Sequence, residues 1–301
     1  MKKLFKRSAI GLLSLSAICL TSCDDNDKLF QNLPGNVATG SKPVQLFFRK
    51  TTAIGTNQDD LIGQYNWGFE YNKRNQLKNG SGLFVISNGE TNSPRAFIID
   101  YNNDKELEIK VNTNNGVEEI EAEITNNLIT HIDHEAGEKF SHSTIFYEDE
   151  RIINVTNERS AAGTSTHSTK CDHHDHPTDY KQSANFLWEN GNLNSIQIST
   201  HDGMGERESV IRFEYTDKVN VSNTLVDQLF HPLNIAGIEF VYYAGLLGKT
   251  SKHLVKTILT EDARIDMEYS FDQYGNVLKS KQLFDNGKVI ETSYQYVGTA
   301  I

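Results

Sequence analysis

The sequence predicts an all-β protein, an antiparallel hairpin meander curled into a partial or closed barrel with a small helical insert near residues 222–248. Three observations lead there. Apolar residues recur at every second position, the period of a strand with one buried and one wet face. Val44, Leu46 and Phe48 share a face; Ile120, Ala122 and Ile124 alternate with Glu119, Glu121 and Glu123; Ile211, Phe213 and Tyr215 alternate with Arg212, Glu214 and Thr216; Met267, Tyr269 and Phe271 repeat the pattern late in the chain. Asn79-Gly80, Asn115-Gly116, Asn190-Gly191 and Asn286-Gly287 supply turn residues that tolerate positive φ. An aromatic, a polar turn and an aliphatic also recur as a loose unit, from Tyr147 to Ile152, Trp188 to Leu193, Phe271 to Val277 and Phe284 to Val289. This unit is similar to the tyrosine-aspartate repeats of large secreted β proteins, with more irregular spacing. One-faced alternation suits antiparallel sheet, because a parallel sheet covered on both sides would read as unbroken apolar runs.

At the N-terminus, Lys2, Lys3, Lys6 and Arg7 precede an apolar run from Ile10 to Leu20. That run is too short to cross roughly 30 Å of hydrocarbon as a helix and reads as a processing signal. Leu20-Thr21-Ser22-Cys23 matches a lipobox, so residues 1–22 are expected to be a lipoprotein signal peptide and Cys23 the acylated (palmitate-bearing) residue. Stable anchoring takes more than one acyl chain, which a diacylated cysteine supplies. Asp24, Asp25 and Asp27 form an acidic tract resembling the surface-export signal of Bacteroidota lipoproteins. The expected location is therefore the outer membrane, lipid-anchored and facing the cell exterior, with the periplasmic face as the alternative. Residues 23–43 are mostly small and polar and read as an acidic lipidated tether, and residues 44–301 as a single antiparallel β domain.

Within the insert, Ser222 is placed to cap a short helix carrying Leu225, Val226 and Leu229 and stopped by Pro232. A second helix is expected through Phe240, Tyr243, Ala244 and Leu247, with Gly248 as the residue that ends it. Both are expected to cover one end of the sheet and complete its core.

Charge narrows the partners. The formal net charge is −11, and removing the signal strips four cations, Lys2, Lys3, Lys6 and Arg7, to leave −15. Nucleic acid is excluded, since phosphates need clustered Lys and Arg and the sequence has no such cluster. Of three cysteines, Cys19 leaves with the signal and Cys23 is acylated, so Cys171 has no internal disulfide partner.

The segment from His167 to Asp179 is the best candidate for chemistry. His167, Cys171, His173 and His176 carry imidazole and thiolate groups that suit zinc, and a loop can fold close neighbours around one ion. The same segment also reads as a polar hairpin loop, and no other cofactor is expected. Asp100 to Asp104 starts like a calcium loop but has Lys105 in place of the turn glycine and Val111 in place of the bidentate glutamate, so it reads as a turn. His131 and His134 are an odd number apart, which on a strand points them to opposite faces. No nucleophile elbow, P-loop or dinucleotide fingerprint occurs, and no catalytic residue is assigned. Trp67 and Trp188 either present aromatic surface to a glycan, peptide or outer-membrane protein partner, or fill the core.

Phe213-Glu214-Tyr215-Thr216-Asp217-Lys218-Val219-Asn220, the stretch from Gly245 to Leu254 and the closing Tyr269 to Val277 resemble a Bacteroidota lipoprotein family, a domain of unknown function with a porin-like fold. The resemblance implies a long antiparallel meander curled toward a barrel and implies no activity. Together these observations point to a lipid-anchored, non-enzymatic binding or interaction module. A structural envelope lipoprotein without a small ligand and a metal-dependent envelope hydrolase are the alternatives.

Overall fold

The computed structural model of the chain describes residues 43–53, 59–72, 76–86, 92–103, 105–113, 116–136, 139–160, 178–221, 233, 235 and 237–296. Among them are sixteen strands: β1 (Pro43–Ala53), β2 (Asp59–Tyr71), β3 (Leu77–Ile86), β4 (Asn92–Asn102), β5 (Glu106–Thr113), β6 (Gly116–Thr125), β7 (Leu128–Ala136), β8 (Lys139–Glu148), β9 (Arg151–Ser160), β10 (Thr178–Glu189), β11 (Asn192–Asp202), β12 (Gly205–Val219), β13 (His253–Leu259), β14 (Arg264–Phe271), β15 (Val277–Phe284) and β16 (Lys288–Tyr296). One helix, α1 (Ile238–Tyr243), lies between β12 and β13. Each strand pairs antiparallel with its neighbours in sequence, and β1 also pairs with β16, Leu46 opposite Tyr294 and Phe48 opposite Thr292. The meander expected from alternation is thus a closed barrel, which leaves no free strand edge.

Closure requires tilted, staggered strands. Successive cross-strand partners Tyr101, Leu107, Ala122, Ile132, Ser143, Asn157, Gln182, Thr200 and Arg207 trace the stagger from β4 to β12. Tyr101 adjoins the turn at one end of the barrel and Arg207 the turn at the other. All these residues face inward, and along the row the wall changes from apolar to polar.

The first end is plugged. Leu233, Ile235, Ile238, Phe240, Val241, Leu246 and Leu247 are buried in one core with the inner faces of the strands. Phe240 stacks on Phe97 with ring centres 4.7 Å apart, and Tyr243 on Phe69 at 4.8 Å. Helix α1 stops at Ala244, where Gly245 at φ 76 donates its N–H to the Tyr242 carbonyl and Leu246 donates to Val241. This paired closure ends the helix one turn before the expected Gly248. The first expected helix, through Leu225, falls outside the described residues.

From the helix the chain runs across the rim of the barrel. Leu246 accepts from the Ile129 N–H, Lys249 donates to Glu150, and Lys252 donates to Gly191, so the insert latches onto three successive hairpins.

A second device seals this end and accounts for two of the aromatic-turn-aliphatic units, those that begin at Tyr147 and Trp188. Toward this end of alternate strands, an inward aromatic donates across to a carbonyl of the strand before it. Tyr101 reaches Leu77, Tyr147 reaches Ile129, Trp188 reaches Ile152 through its indole N–H, Tyr215 reaches Leu193, and Tyr269 reaches Val255, all within 2.7–3.1 Å. Burial pushes the Tyr101, Tyr147 and Tyr269 hydroxyls well above the ordinary tyrosine range and that of Tyr215 up to about 12. Ile152 and Leu193, the aliphatics that close these two units, carry the carbonyls that Trp188 and Tyr215 need.

Two turn assignments separate. Asn190-Gly191 is a two-residue turn with φ 52 and 82, as the pair predicts. Asn79-Gly80 is not a turn: Gly80 lies within β3 opposite Phe97. A Cβ at Gly80 would stand 2.4 Å from the Phe97 ring, so the glycine is there to admit that ring.

From β4 to β10 the outer wall carries a row of charged side chains. Across it run Asp100, Glu108, Glu121, Asp133, His142, Glu158 and Lys181 as direct cross-strand partners. A lipid-facing barrel would carry an apolar band here. Partial burial raises the Glu121 carboxyl above its ordinary range, and Asp133, Glu108, Glu119 and Glu106 add to the shift. His142 Nδ1 lies 2.6 Å from Asp133, and that hydrogen bond lifts the imidazole above the usual histidine range. Its contribution is complete below about pH 6.5 and fades as pH rises through the raised value. Asp133→Asn is therefore expected to lower stability by about 0.5–1 kcal/mol near pH 6 and by less at pH 8, read from unfolding midpoints.

Candidate functional site

Opposite the plug, the inner face turns polar on β7 to β10. Alternation puts Ile132 and His134 on one face of β7, and Val155, Asn157 and Arg159 on one face of β9. Register then sets His134 beside Ser141, Ser141 beside Arg159 and Arg159 beside Tyr180. Four polar side chains thus stand in one row on four adjacent strands, each roughly 5 Å from the next.

Around this row, Glu118 lies 3.7 Å from His134 Nε2, and Arg159 lies over the Tyr180 ring at 5.0 Å. Burial pushes the His134 imidazole below its usual range, against the pull of Glu118, and also lowers Arg159. One row toward the plug, Ser143 Oγ donates to Asn157 Oδ1 at 3.3 Å, while Asn157 Nδ2 has no acceptor although Asn157 is 1% exposed. Gln282 on β15 is 2% exposed, and its Oε1 has no donor. Buried polar groups are nearly always satisfied, so open valences inside the wall mark a place where water or a ligand belongs.

The sequence-level candidates fall differently. Cys23, Asp24, Asp25 and Asp27 lie outside the described residues, as do His167, Cys171, His173 and His176 of the segment joining β9 to β10. Among the described residues no group of three or more His, Cys, Asp or Glu is placed to hold a metal ion. Trp67 lies on β2 opposite Leu46, with its side chain outside the described residues. Trp188 fills the core, bonded to Ile152 and covered by Arg151 at 5.6 Å. His131 faces outward beside Glu123 and His134 inward, as their odd spacing requires. Asp100 to Asn103 lead into the β4–β5 turn, where the Lys105 N–H donates to Asn103 Oδ1, and Asp104 lies outside the described residues. Sequence reasoning missed Ser141, Asn157, Arg159 and Tyr180. Their signal was a polar residue in phase with an apolar face, as Asn157 and Arg159 are with Val155.

No family model and no curated protein matches the chain in sequence. Solved structures do match in fold. A porin-like protein from Bacteroides uniformis ATCC 8492 superposes with a TM-score of 0.59 at 11% identity, over 85% of this chain and 97% of that one. A porin-like protein from Bacteroides vulgatus ATCC 8482 gives 0.52 at 12% identity, over 85% and 99%. At such identities the likeness is one of architecture, and the chain has the porin-like antiparallel fold that its resemblance implied.

Proposed function

We propose that this chain is an envelope lipoprotein of the family it resembles, anchored through Cys23 in the outer membrane, and that its barrel is a non-enzymatic binding module. A small polar ligand rests on the inner face of β7 to β10. The division of the inner wall carries this reading: a plug and aromatic girdle fill one end, and open hydrogen-bonding groups line the other. A purely structural barrel would have no use for buried polar groups without partners.

Labelled palmitate is expected to enter the wild-type chain and not Cys23→Ala, and equal labelling would overturn the anchor. Replacing Asp24, Asp25 and Asp27 by Ala is expected to reduce protease accessibility on whole cells; unchanged accessibility removes the export role. For binding, the full chain in detergent is warmed with a panel of small sugars and dipeptides. A saturable rise in midpoint for at least one, lost in Asn157→Leu, is expected. No rise with any of them would support the structural reading instead.

A further inference from the structure

We propose that Arg159 anchors an anion-binding subsite on the inner wall, taking the carboxylate or phosphate group of a small ligand; this rests on the reading of that wall as a binding surface. The chain carries 40 Asp and Glu against 29 Lys and Arg, so a cation in the barrel is surrounded by acids free to pair with it. Arg207 is paired with Asp202, and His134 stands beside Glu118. Arg159 instead has no carboxylate among the described residues, only the Tyr180 ring beneath it. A guanidinium drawn partly out of water without a counter-ion is costly to keep unless a ligand supplies one.

Its neighbours are donors too. Ser141 is directly opposite, and the unaccepted Asn157 Nδ2 faces the same side two residues along β9. Guanidinium, hydroxyl and amide N–H thus share one face of two adjacent strands, a donor set that suits an anion, and the planar fork of arginine suits a two-oxygen group. Glu118, beyond His134, sets the limit of the subsite, because a second anionic group on the ligand would meet its charge.

Calorimetry on the full chain in detergent, at one ionic strength, would compare galacturonate, inorganic phosphate and neutral galactose. At least one anion is expected to bind more tightly than galactose, and which one does so distinguishes a sugar acid from a phosphate. Arg159→Gln should weaken that anion at least ten-fold and by more than it weakens galactose, while Arg159→Lys retains part of the affinity. Asn157→Asp, which hands the arginine an internal carboxylate, should abolish anion binding even if Arg159→Gln folds poorly. Equal binding of anions and galactose, indifferent to Arg159→Gln and Asn157→Asp, overturns the subsite and leaves the binding module standing. No saturable binding of any of the three overturns both.

Discussion

Phe97→Ala is expected to destabilise the protein by about 3–5 kcal/mol, since a large aromatic removed from a closed core leaves a cavity that neighbours only partly refill. Phe97 is 1% exposed, with Phe240 of the plug at 4.7 Å, Phe69 at 6.2 Å and the bare backbone of Gly80 opposite. The loss therefore falls on both the wall and the plug. For a domain of this size it should lower the thermal midpoint by roughly 10 °C, measurable by calorimetry or circular dichroism. Gly80→Ala tests the same contact from the other side, at about 1–3 kcal/mol, because its Cβ would push into the Phe97 ring. Combined with Phe97→Leu, which shortens that ring, the two changes should cost less than their sum. Strict additivity would show that Gly80 is not there to make room for Phe97.

The second large effect is expected at Gly248→Ala, about 3 kcal/mol or more. Gly248 has φ 79, where an L side chain is strained by about 1–2 kcal/mol, and its Cβ would fall 2.2 Å from the Glu150 carbonyl oxygen. That oxygen accepts the Lys249 N–H at 2.7 Å, so the clash is relieved only by breaking the latch between insert and hairpin. Gly245→Ala is the internal control. It shares the backbone strain, with φ 76, but has open space around its Cβ, and it should cost only about 1–2 kcal/mol. Equal losses at the two positions would mean that the contact with Glu150 adds nothing to φ strain.

The wall of the barrel was legible because one-faced alternation is written locally, as in Ile120, Ala122 and Ile124 against three glutamates. Asn79-Gly80 misled because a pair that makes a turn elsewhere also makes a strand when a distant ring needs the space. Helix α1 ends at Gly245 because that glycine already takes the positive φ that closes it; Gly245 and Gly248 look alike in sequence, and only the Glu150 carbonyl gives the second its separate task. The aromatic unit was visible but its purpose was not, since the carbonyl that receives each ring sits a full strand away. The polar row was hidden for the same reason: His134, Ser141, Arg159 and Tyr180 are scattered over 47 positions, counted inclusively, and meet only through register.

The tyrosine and tryptophan tips at the rim reach beyond stability. With those carbonyls capped and the insert packed behind them, this end is closed among the described residues. On the binding reading proposed above, a solute would enter and leave by the polar end alone, so dwell time and saturation would govern its exchange, and a patch-clamp across the protein is expected to record silence.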